Sequence, residues 1–217
     1  MMKTIKFSHI TKTAGTTIES IAWLNNINWG YNEAEFWRKL IVFSKYEYVK
    51  STPAWHWPIS FCKNKKLLNE TLLKYRFFTV VRNPYDRCIS EYYCEYGGPE
   101  IKSTKKKDFN YYIKKKLIDV KNFKFTSGHF IPQFFYVYEK NYEKIIKDVL
   151  KYENIETEFN SFMKKYNYKL RFSFEKHSSI KRFKQCDFEE KTIKLIQEVY
   201  YKDFIFFNYN LEPNSIT

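Results

Sequence analysis

Residues 3–20 read Lys3-Thr-Ile-Lys-Phe-Ser-His-Ile-Thr-Lys-Thr-Ala-Gly-Thr-Thr-Ile-Glu-Ser20. The stretch predicts a short strand with alternating apolar residues, then a loop of small residues, and then the start of a helix. This geometry binds anions, because the N–H groups of a first helical turn lack partners within the helix and the helix dipole favours negative charge there. Gly15 lets the main chain come close to the ligand, and Lys12 supplies a positive charge at the same point.

A second unit of the same kind runs from residue 77 to residue 94. Phe77-Phe-Thr-Val-Val81 is a continuous apolar run, which is typical of a strand buried on both faces of a parallel sheet. The strand leads into Arg82-Asn-Pro-Tyr-Asp-Arg-Cys-Ile-Ser-Glu-Tyr-Tyr93, where Asn83 is suited to cap a helix and Pro84 to occupy its first turn. Two such units, each with a cationic residue at the turn, indicate one ligand with two anionic ends.

The rest of the chain alternates helical and extended patterns, as an α/β protein requires. Helices are predicted over residues 16–27, 33–43, 65–75, 108–120, 156–166 and 187–201, the last opened by a capping box of Asp187 and Glu190. A strand is predicted near residues 46–49, and residues 145–152 fit a strand or a helix. Loops or irregular segments are predicted over residues 51–58, 97–107, 125–138 and 168–186. We predict an α/β fold with a central, mainly parallel sheet flanked by helices, in one domain that spans residues 1–217.

The chain is strongly basic. Its formal charge is +14, from 38 Lys and Arg against 24 Asp and Glu, and this charge favours an anionic ligand or partner. The chain is also rich in Lys, Asn, Ile, Phe and Tyr, which a coding bias toward A and T would produce. The Lys runs at residues 63–66, 105–107 and 114–116 therefore have two explanations, a groove for an acidic glycan or no partner at all.

Targeting and redox signals are absent from the sequence. No apolar run approaches about 18 residues and no signal peptide or anchor is evident, which predicts a soluble, cytoplasmic protein without a membrane segment. The four cysteines show no metal-ligand spacing and are predicted to be reduced thiols: Cys62, Cys88, Cys94 and Cys186. A disulfide between Cys62 and Cys186 is neither supported nor excluded.

Both opening stretches resemble motifs of the sulfotransferases that use 3′-phosphoadenosine 5′-phosphosulfate (PAPS). His9-Ile-Thr-Lys-Thr-Ala-Gly-Thr-Thr17 is similar to their 5′-phosphosulfate loop. Val81-Arg-Asn-Pro-Tyr-Asp-Arg-Cys-Ile-Ser-Glu-Tyr92 is similar to their 3′-phosphate segment, with Arg82 and Ser90 at the family's spacing. Both resemble the carbohydrate branch, which includes the heparan 2-O and the chondroitin and dermatan enzymes. Weaker similarity continues through residues 128–133, 151–155 and 201–209, so the resemblance covers most of the chain.

The resemblance implies a nucleotide-kinase-like fold with a P-loop-like phosphosulfate loop, and a role for each motif residue. Backbone N–H and hydroxyl groups would cradle the phosphosulfate at Thr13, Gly15, Thr16 and Thr17. Lys12 would neutralise the charge that develops on the bridging oxygen as the sulfuryl group leaves. Arg82 would bind the 3′-phosphate with the Ser90 hydroxyl as a second donor. Lys181 and Arg182 would close over the nucleotide or form a solvated basic loop, and the chemistry needs no metal.

A general base is required, because a sugar hydroxyl is a poor nucleophile until its proton is removed. His56 is our candidate, since it lies in the loop after the second strand, where the family's histidine-base branch places it; Trp55 stands where the family usually has Gly. The alternative for His56 is a packed, hydrogen-bonded side chain. His129 is the competitor, whereas His177 and His9 are weaker candidates and His9 is better suited to support the loop. The nearby acids Glu91 and Glu95 are predicted to be solvated or paired.

We therefore predict an enzyme of the EC 2.8.2 type that moves a sulfuryl group in line from PAPS to a hydroxyl, with a carbohydrate or anionic glycan as acceptor. The alternatives are a protein-tyrosine or small-molecule acceptor, a nucleotide kinase or NTPase, and a basic nucleic-acid-binding protein. A kinase is disfavoured because Lys12 precedes the Gly and no acidic Mg²⁺ partner is clear. Nucleic acid is not expected as a partner, because the aromatic residues fall at core-like positions and no reader motif is present. Without an anchor, the sequence does not support a Golgi-type location.

Overall fold

A parallel sheet of three strands lies at the centre of the computed structural model, which describes residues 4–41, 53–62, 64–125, 127–173 and 182–214. The strands are β1 (Thr4–Ser8), β2 (Tyr75–Val81) and β3 (Asp148–Lys151), in the order β1–β2–β3. β1 pairs with β2 from Thr4 opposite Tyr75 to Ser8 opposite Thr79, and β2 pairs with β3 from Phe78 opposite Asp148 to Val81 opposite Lys151. The strand predicted near residues 46–49 lies outside the described residues.

Helices flank this sheet. They are α1 (Gly15–Leu24), α2 (Ala34–Leu40), α3 (Lys65–Lys74), α4 (Pro84–Tyr92), α5 (Lys106–Lys121), α6 (Phe134–Val137), α7 (Ile155–Lys165), α8 (Glu190–Val199) and α9 (Tyr201–Phe206). Short 3-10 turns cover Gly30–Glu33, Ala54–His56, Ile59–Phe61, Tyr152–Asn154 and Gln185–Asp187. A parallel sheet between helices confirms the predicted α/β fold class.

Strand β2 is buried on both faces, as its apolar sequence predicts. One face carries Phe78 and Val80, which belong to a cluster with residues of β1, α1 and α7. The other face carries Phe77 and Val81, which pack with residues of α2, α3 and α6. Successive side chains of a strand point to opposite sides, so an uninterrupted apolar run serves two cores at once. A third cluster joins α4, α5, α8 and α9.

Several local predictions are confirmed, and the capping box is not. The Asn83 side chain accepts the N–H of Tyr85, and Pro84 opens α4 as expected. The predicted box of Asp187 and Glu190 is wrong, because the Asp187 carboxylate accepts the N–H of Lys184 at 2.8 Å and pairs with Lys106 Nζ at 2.6 Å. Helix α8 therefore begins at Glu190 without a side-chain cap.

Other boundaries differ from prediction at turns. The predicted last helix runs from Glu190 to Val199, and the short helix α9, which was not predicted, begins after Tyr200. Helix α1 ends at Leu24, and Asn26 then takes a positive φ of 58°. The irregular segment 125–138 includes the short helix α6. All four cysteines are free thiols, so Cys62 and Cys186 form no disulfide. Within the described part of the chain, no helix is both long and apolar enough to cross a membrane.

We expect Phe78→Ala to lower the free energy of unfolding by about 3–5 kcal/mol, because the ring is fully buried and its removal leaves a cavity beside the sheet. Leu73→Ala is the matched control. Leu73 is 72% exposed, so its loss should change the free energy by less than about 0.5 kcal/mol. Urea unfolding measures both values. Equal losses for the two variants would contradict the assigned core.

Candidate active site

The ends of β1 and β2 bring the two predicted motifs into contact. The strands are parallel neighbours, so the residues that follow Ser8 and Val81 emerge at the same edge of the sheet. Arg82 Nη1 donates a hydrogen bond to the backbone carbonyl of Lys12 at 3.3 Å. The loop predicted for one anionic end of the ligand therefore touches the residue predicted for the other end.

The loop between β1 and α1 has an unusual backbone. Lys12 and Ala14 have φ values of 64° and 69°, in the left-handed region that side chains other than Gly rarely occupy. Thr13, which lies between them and is fully buried, donates its hydroxyl proton to the carbonyl of Ile10 at 2.8 Å. Strained backbone of this kind is concentrated at ligand sites. The Thr13 hydroxyl is thus used to hold the loop, which leaves its oxygen only as an acceptor.

The N-terminus of α1 offers free donors. Its first intrahelical bond runs from the N–H of Ile18 to the carbonyl of Ala14, so the N–H groups of Gly15, Thr16 and Thr17 come before it. The helix has no side-chain cap and no acidic residue in its first turn. The Thr16 side chain is exposed and that of Thr17 is half-buried. These N–H groups and hydroxyls fit a phosphate or sulfate group.

Gly15 has a structural role that differs from the predicted one. A Cβ at this position would overlap the imidazole ring of His9, so the space that glycine leaves open is filled by this ring. His9 Nδ1 lies 2.6 Å from Oε1 of Glu19, which is buried. His9 therefore packs under the loop and supports it, as the sequence indicates.

Arg82 has the properties of a residue that binds an anion. Its side chain is almost fully buried, and its Nε has no hydrogen-bond partner among the described residues. The guanidinium carbon lies 4.0 Å from the centroid of the Tyr152 ring. Across the described ranges, neither Arg82 nor the half-buried Lys12 forms an ion pair with a carboxylate. A buried donor without an acceptor is unfavourable, so an anion at this point would satisfy it.

Gln133 fixes the backbone of Arg82, a role that the sequence analysis did not identify. Its Oε1 accepts the N–H of Arg82 and its Nε2 donates to the Arg82 carbonyl, both at 2.8 Å. The buried carboxylate of Asp203 accepts the backbone N–H groups of Gln133 and Phe134 at 2.9 and 2.7 Å. Burial raises the pKa of Asp203 to about 6. A signal was available, because Gln133 closes one of the segments that resemble the family.

Arg87 joins α4 to the loop between β1 and α1. Its side chain is buried, and its Nε donates to the carbonyl of Thr11 at 3.1 Å while Nη1 donates to the carbonyl of Ile131 at 2.8 Å. Ser90 lies one turn further along the same helix and is largely buried. Ser90, which is predicted to contact the 3′-phosphate, thus lies on a helix that Arg87 ties to the loop between β1 and α1.

Glu91 is paired rather than solvated, and it is fully buried. Thr11 Oγ1 donates to its Oε1 at 2.5 Å, and His129 Nδ1 lies 2.6 Å from its Oε2. Burial alone would raise the pKa of this carboxyl, but His129, Arg87 and the Thr11 hydroxyl outweigh it and lower the pKa to about 2. Glu95, by contrast, is exposed.

His56 lies between two other histidines. Its ring centroid is 4.5 Å from that of His9 and 6.3 Å from that of His129. Burial, followed by the charges of His9 and His129, lowers the pKa of His56 to about 2. A Cβ at Gly128 would overlap the Cβ of His56, so this glycine allows the two loops to approach. These surroundings favour the neutral imidazole of His56.

One group of side chains has the spacing of a metal site. Ligand atoms of Glu91, Cys94 and His129 lie within 4.8 Å of one another, and no other such group occurs in the part of the chain that the structure describes. Both Glu91 oxygens already accept hydrogen bonds, and the Arg87 guanidinium lies 3.7 Å from one of them. The arrangement therefore favours a hydrogen-bonded network over a cation.

The basic residues outside the motifs are partly neutralised. Lys65, Lys106 and Lys114 each form an ion pair, with Glu139, Asp187 and Glu189 respectively. Lys181 and His177 lie outside the described residues, as does Lys63. The neighbouring Arg182 is described, and its N–H donates to the hydroxyl of Tyr93 at 3.0 Å.

The fold and the site together define an α/β protein with free helix N–H groups and the cationic side chains of Lys12 and Arg82 at one edge of its sheet. The family model described as the Sulfotransferase family matches residues 3–210. Because this match covers almost the whole chain, the protein belongs to the sulfotransferase family, whose members transfer a sulfuryl group from a nucleotide donor to an acceptor. A search of curated proteins and a search of solved structures found no significant match.

We expect the contribution of Glu91 to stability to depend on pH. Its pKa is lower in the folded protein than the usual value of 4.5, so the ionised carboxylate stabilises the fold above that pH and loses this effect as the pH falls toward about 2. Glu91→Gln should lower the free energy of unfolding by about 3 kcal/mol near neutral pH. The difference from wild type should shrink below about pH 4.5.

Urea unfolding of both proteins at a series of pH values measures this difference. Glu95→Gln is the control, since that side chain is exposed on the same segment and should have little effect at any pH. A loss in Glu91→Gln that stays constant from acid to neutral pH would show that Glu91 is not held ionised.

Proposed function

We propose that the protein transfers a sulfuryl group in line from PAPS to a hydroxyl of a carbohydrate. One observation carries the proposal: in a chain of the sulfotransferase family, Lys12 and Arg82 lie in the segments that follow two adjacent parallel strands, and the Arg82 guanidinium donates a hydrogen bond to the backbone carbonyl of Lys12. Neither side chain forms an ion pair with a described carboxylate. Two cationic side chains on joined segments, neither paired with a carboxylate in the described part of the chain, support a ligand with more than one anionic group.

The residues of the loop and of α4 would hold the two ends of the nucleotide. In this proposal the 5′-phosphosulfate binds the loop and the first turn of α1, with the backbone N–H groups of Thr13, Gly15, Thr16 and Thr17 and the hydroxyls of Thr16 and Thr17 as donors. The 3′-phosphate binds Arg82, whose unpartnered Nε supports this assignment, and Ser90 supplies a second donor. Lys181 remains a proposed contact from the family resemblance alone.

Lys12 has the chemical role. PAPS, when bound, supplies the sulfuryl group that is transferred. Lys12 would face the bridging oxygen and stabilise the negative charge that remains on the nucleotide as the bond to sulfur breaks. Its left-handed backbone is fixed from one side by the Arg82 hydrogen bond to its carbonyl. The residues assigned here do not require a metal ion.

The acceptor hydroxyl needs a general base, and two neighbouring histidines are candidates for it. His56 is proposed from the family resemblance, and His129 competes with it. The carbohydrate acceptor is supported by the similarity of both motifs to the carbohydrate branch. A protein tyrosine or a small-molecule alcohol or phenol is the second acceptor class.

We expect 3′-phosphoadenosine 5′-phosphate to bind the wild-type protein and to bind Lys12→Ala and Arg82→Ala about 10- to 100-fold more weakly, because each variant removes a charged contact to the nucleotide. Isothermal calorimetry measures these affinities. Lys194→Ala is the matched control, since Lys194 is an exposed lysine in α8 that pairs with Glu190. The absence of binding to wild type would overturn the proposed donor.

We expect sulfation of heparosan or chondroitin oligosaccharides and not of a tyrosine peptide or a simple phenol, when each is incubated with PAPS and followed by mass spectrometry. Reversal of charge at Lys115 and Lys116 should raise the KM for an anionic glycan and leave kcat unchanged, because these residues would act only in binding. Transfer to the tyrosine peptide alone would show that the acceptor is a protein tyrosine and not a carbohydrate. An unchanged KM would show that these two lysines do not bind the acceptor.

A further inference from the structure

We propose that the imidazole of His129, held by the buried carboxylate of Glu91, takes the proton of the acceptor hydroxyl. This assignment rests on the proposed function, because it names the base of the same transfer reaction. It replaces His56, which the sequence indicates for this role, and it assigns Glu91 as a positioning residue.

The first support is the tautomer that Glu91 imposes on His129. Nδ1 of His129 lies 2.6 Å from Oε2 of Glu91, and a deprotonated carboxylate can only accept hydrogen bonds. Nδ1 must therefore carry a proton, so in the neutral ring the lone pair is on Nε2. A carboxylate that fixes the tautomer also stabilises the imidazolium that forms when Nε2 accepts a proton.

The second support is the rigidity of this pair. Glu91 is fixed from its other oxygen by the Thr11 hydroxyl at 2.5 Å, and the Arg87 guanidinium lies 3.7 Å away. A Cβ at Gly97 would overlap the His129 ring, so the ring is packed closely from that side as well. Thr11 belongs to the phosphosulfate loop. The orientation of the base is therefore tied to the loop that would hold the donor.

The third support is access. The Glu91 side chain is 1% exposed, whereas that of His129 is 11% exposed. Nε2 of His129 has no hydrogen-bond partner among the described residues. It is also absent from the set of fully buried side-chain atoms without a partner, so it is not enclosed by the protein. One edge of the ring is thus bonded inside the protein while the other edge can meet a hydroxyl group.

The two other histidines of the cluster lack this combination. His9 has an equivalent bond to Glu19, but its ring is buried against Gly15 under the loop. The His56 ring has no bonded carboxylate in the described part of the chain, and its ring neighbours are the imidazoles of His9 and His129 and the indole of Trp55. A proton on His56 would have no counter-charge, so His56 is better suited to shape the acceptor side than to accept the proton.

When the acceptor is an alcohol, its O–H bond breaks and the proton moves to Nε2 of His129. The acceptor oxygen forms a new bond to sulfur with its electron pair. The bond from sulfur to the bridging oxygen breaks, and that electron pair stays on the departing nucleotide, where Lys12 faces it.

The kinetic test compares His129→Ala, His56→Ala and the wild-type protein. Single-turnover release of 3′-phosphoadenosine 5′-phosphate from PAPS is followed with heparosan oligosaccharide present, and this release reports transfer to any hydroxyl acceptor, water included. We expect His129→Ala to slow release by about 10²- to 10⁴-fold and to be rescued in part by added imidazole, with His56→Ala slower by less than about 10-fold. A larger loss in His56→Ala, with His129→Ala close to wild type, would overturn the assignment.

Two further measurements keep this test independent of folding and of the proposed donor. Calorimetry should show that His129→Ala binds 3′-phosphoadenosine 5′-phosphate within about 3-fold of wild type, which separates loss of the base from loss of the site. A wild-type protein that binds no nucleotide would overturn the proposed function, whereas binding without any effect of His129→Ala on release would overturn only the base.

The tautomer can be read without turnover. Nitrogen-15 shifts of the imidazole groups should show a proton on Nδ1 and none on Nε2 of His129 in the neutral wild-type ring, and Glu91→Gln should weaken this preference. A proton on Nε2 of neutral His129 in the wild-type protein would contradict the proposal directly.

Discussion

The guanidinium of Arg87 is the contact on which the site depends. It is buried, and it joins three segments that are far apart in sequence: α4 itself, the loop between β1 and α1 through Thr11, and the loop before α6 through Ile131. It also lies beside Glu91, so one buried positive charge accompanies one buried negative charge. A buried arginine that bonds backbone carbonyls fixes main-chain positions and not only side chains. The loop, the helix and the histidine-bearing segment therefore form one unit.

The parts of this protein that could be predicted from its sequence are those that depend on neighbouring residues. The apolar run of β2 predicts burial on both faces, and Asn83 with Pro84 predicts the start of α4, because periodicity and capping are local. The predicted capping box at Asp187 was wrong because other groups bind its carboxylate. They are Lys106 Nζ and the N–H of Lys184, and the spacing of Asp187 and Glu190 gives no information about either. Gln133 and Glu91 were missed as site residues because their partners lie 38 to 80 positions away. Motif resemblance found Arg82 and Lys12 but could not show that they touch.

The polar interior around the site forms two connected systems. In one, Asp203 orients Gln133, and Gln133 holds the backbone of Arg82. In the other, Thr11, Arg87 and His129 surround Glu91. Buried polar groups are stable only when nearly all of them are satisfied, so each system fixes a single arrangement of its members. Nε of Arg82, by contrast, is buried without a hydrogen-bond partner among the described residues, and an anion bound beside it would supply the missing acceptor.

The left-handed backbone at Lys12 has a consequence for how this loop can change. Glycine would adopt a φ of 64° without strain, so the conformation alone favours glycine at this position, and the same holds for Ala14. A lysine there places a cation in the loop after β1, and it does so with a backbone conformation that is strained for a residue with a side chain. If Lys12 has its proposed role, selection for stability and selection for chemistry act in opposite directions at position 12, and random mutagenesis screened only for thermal resistance would tend to replace this lysine.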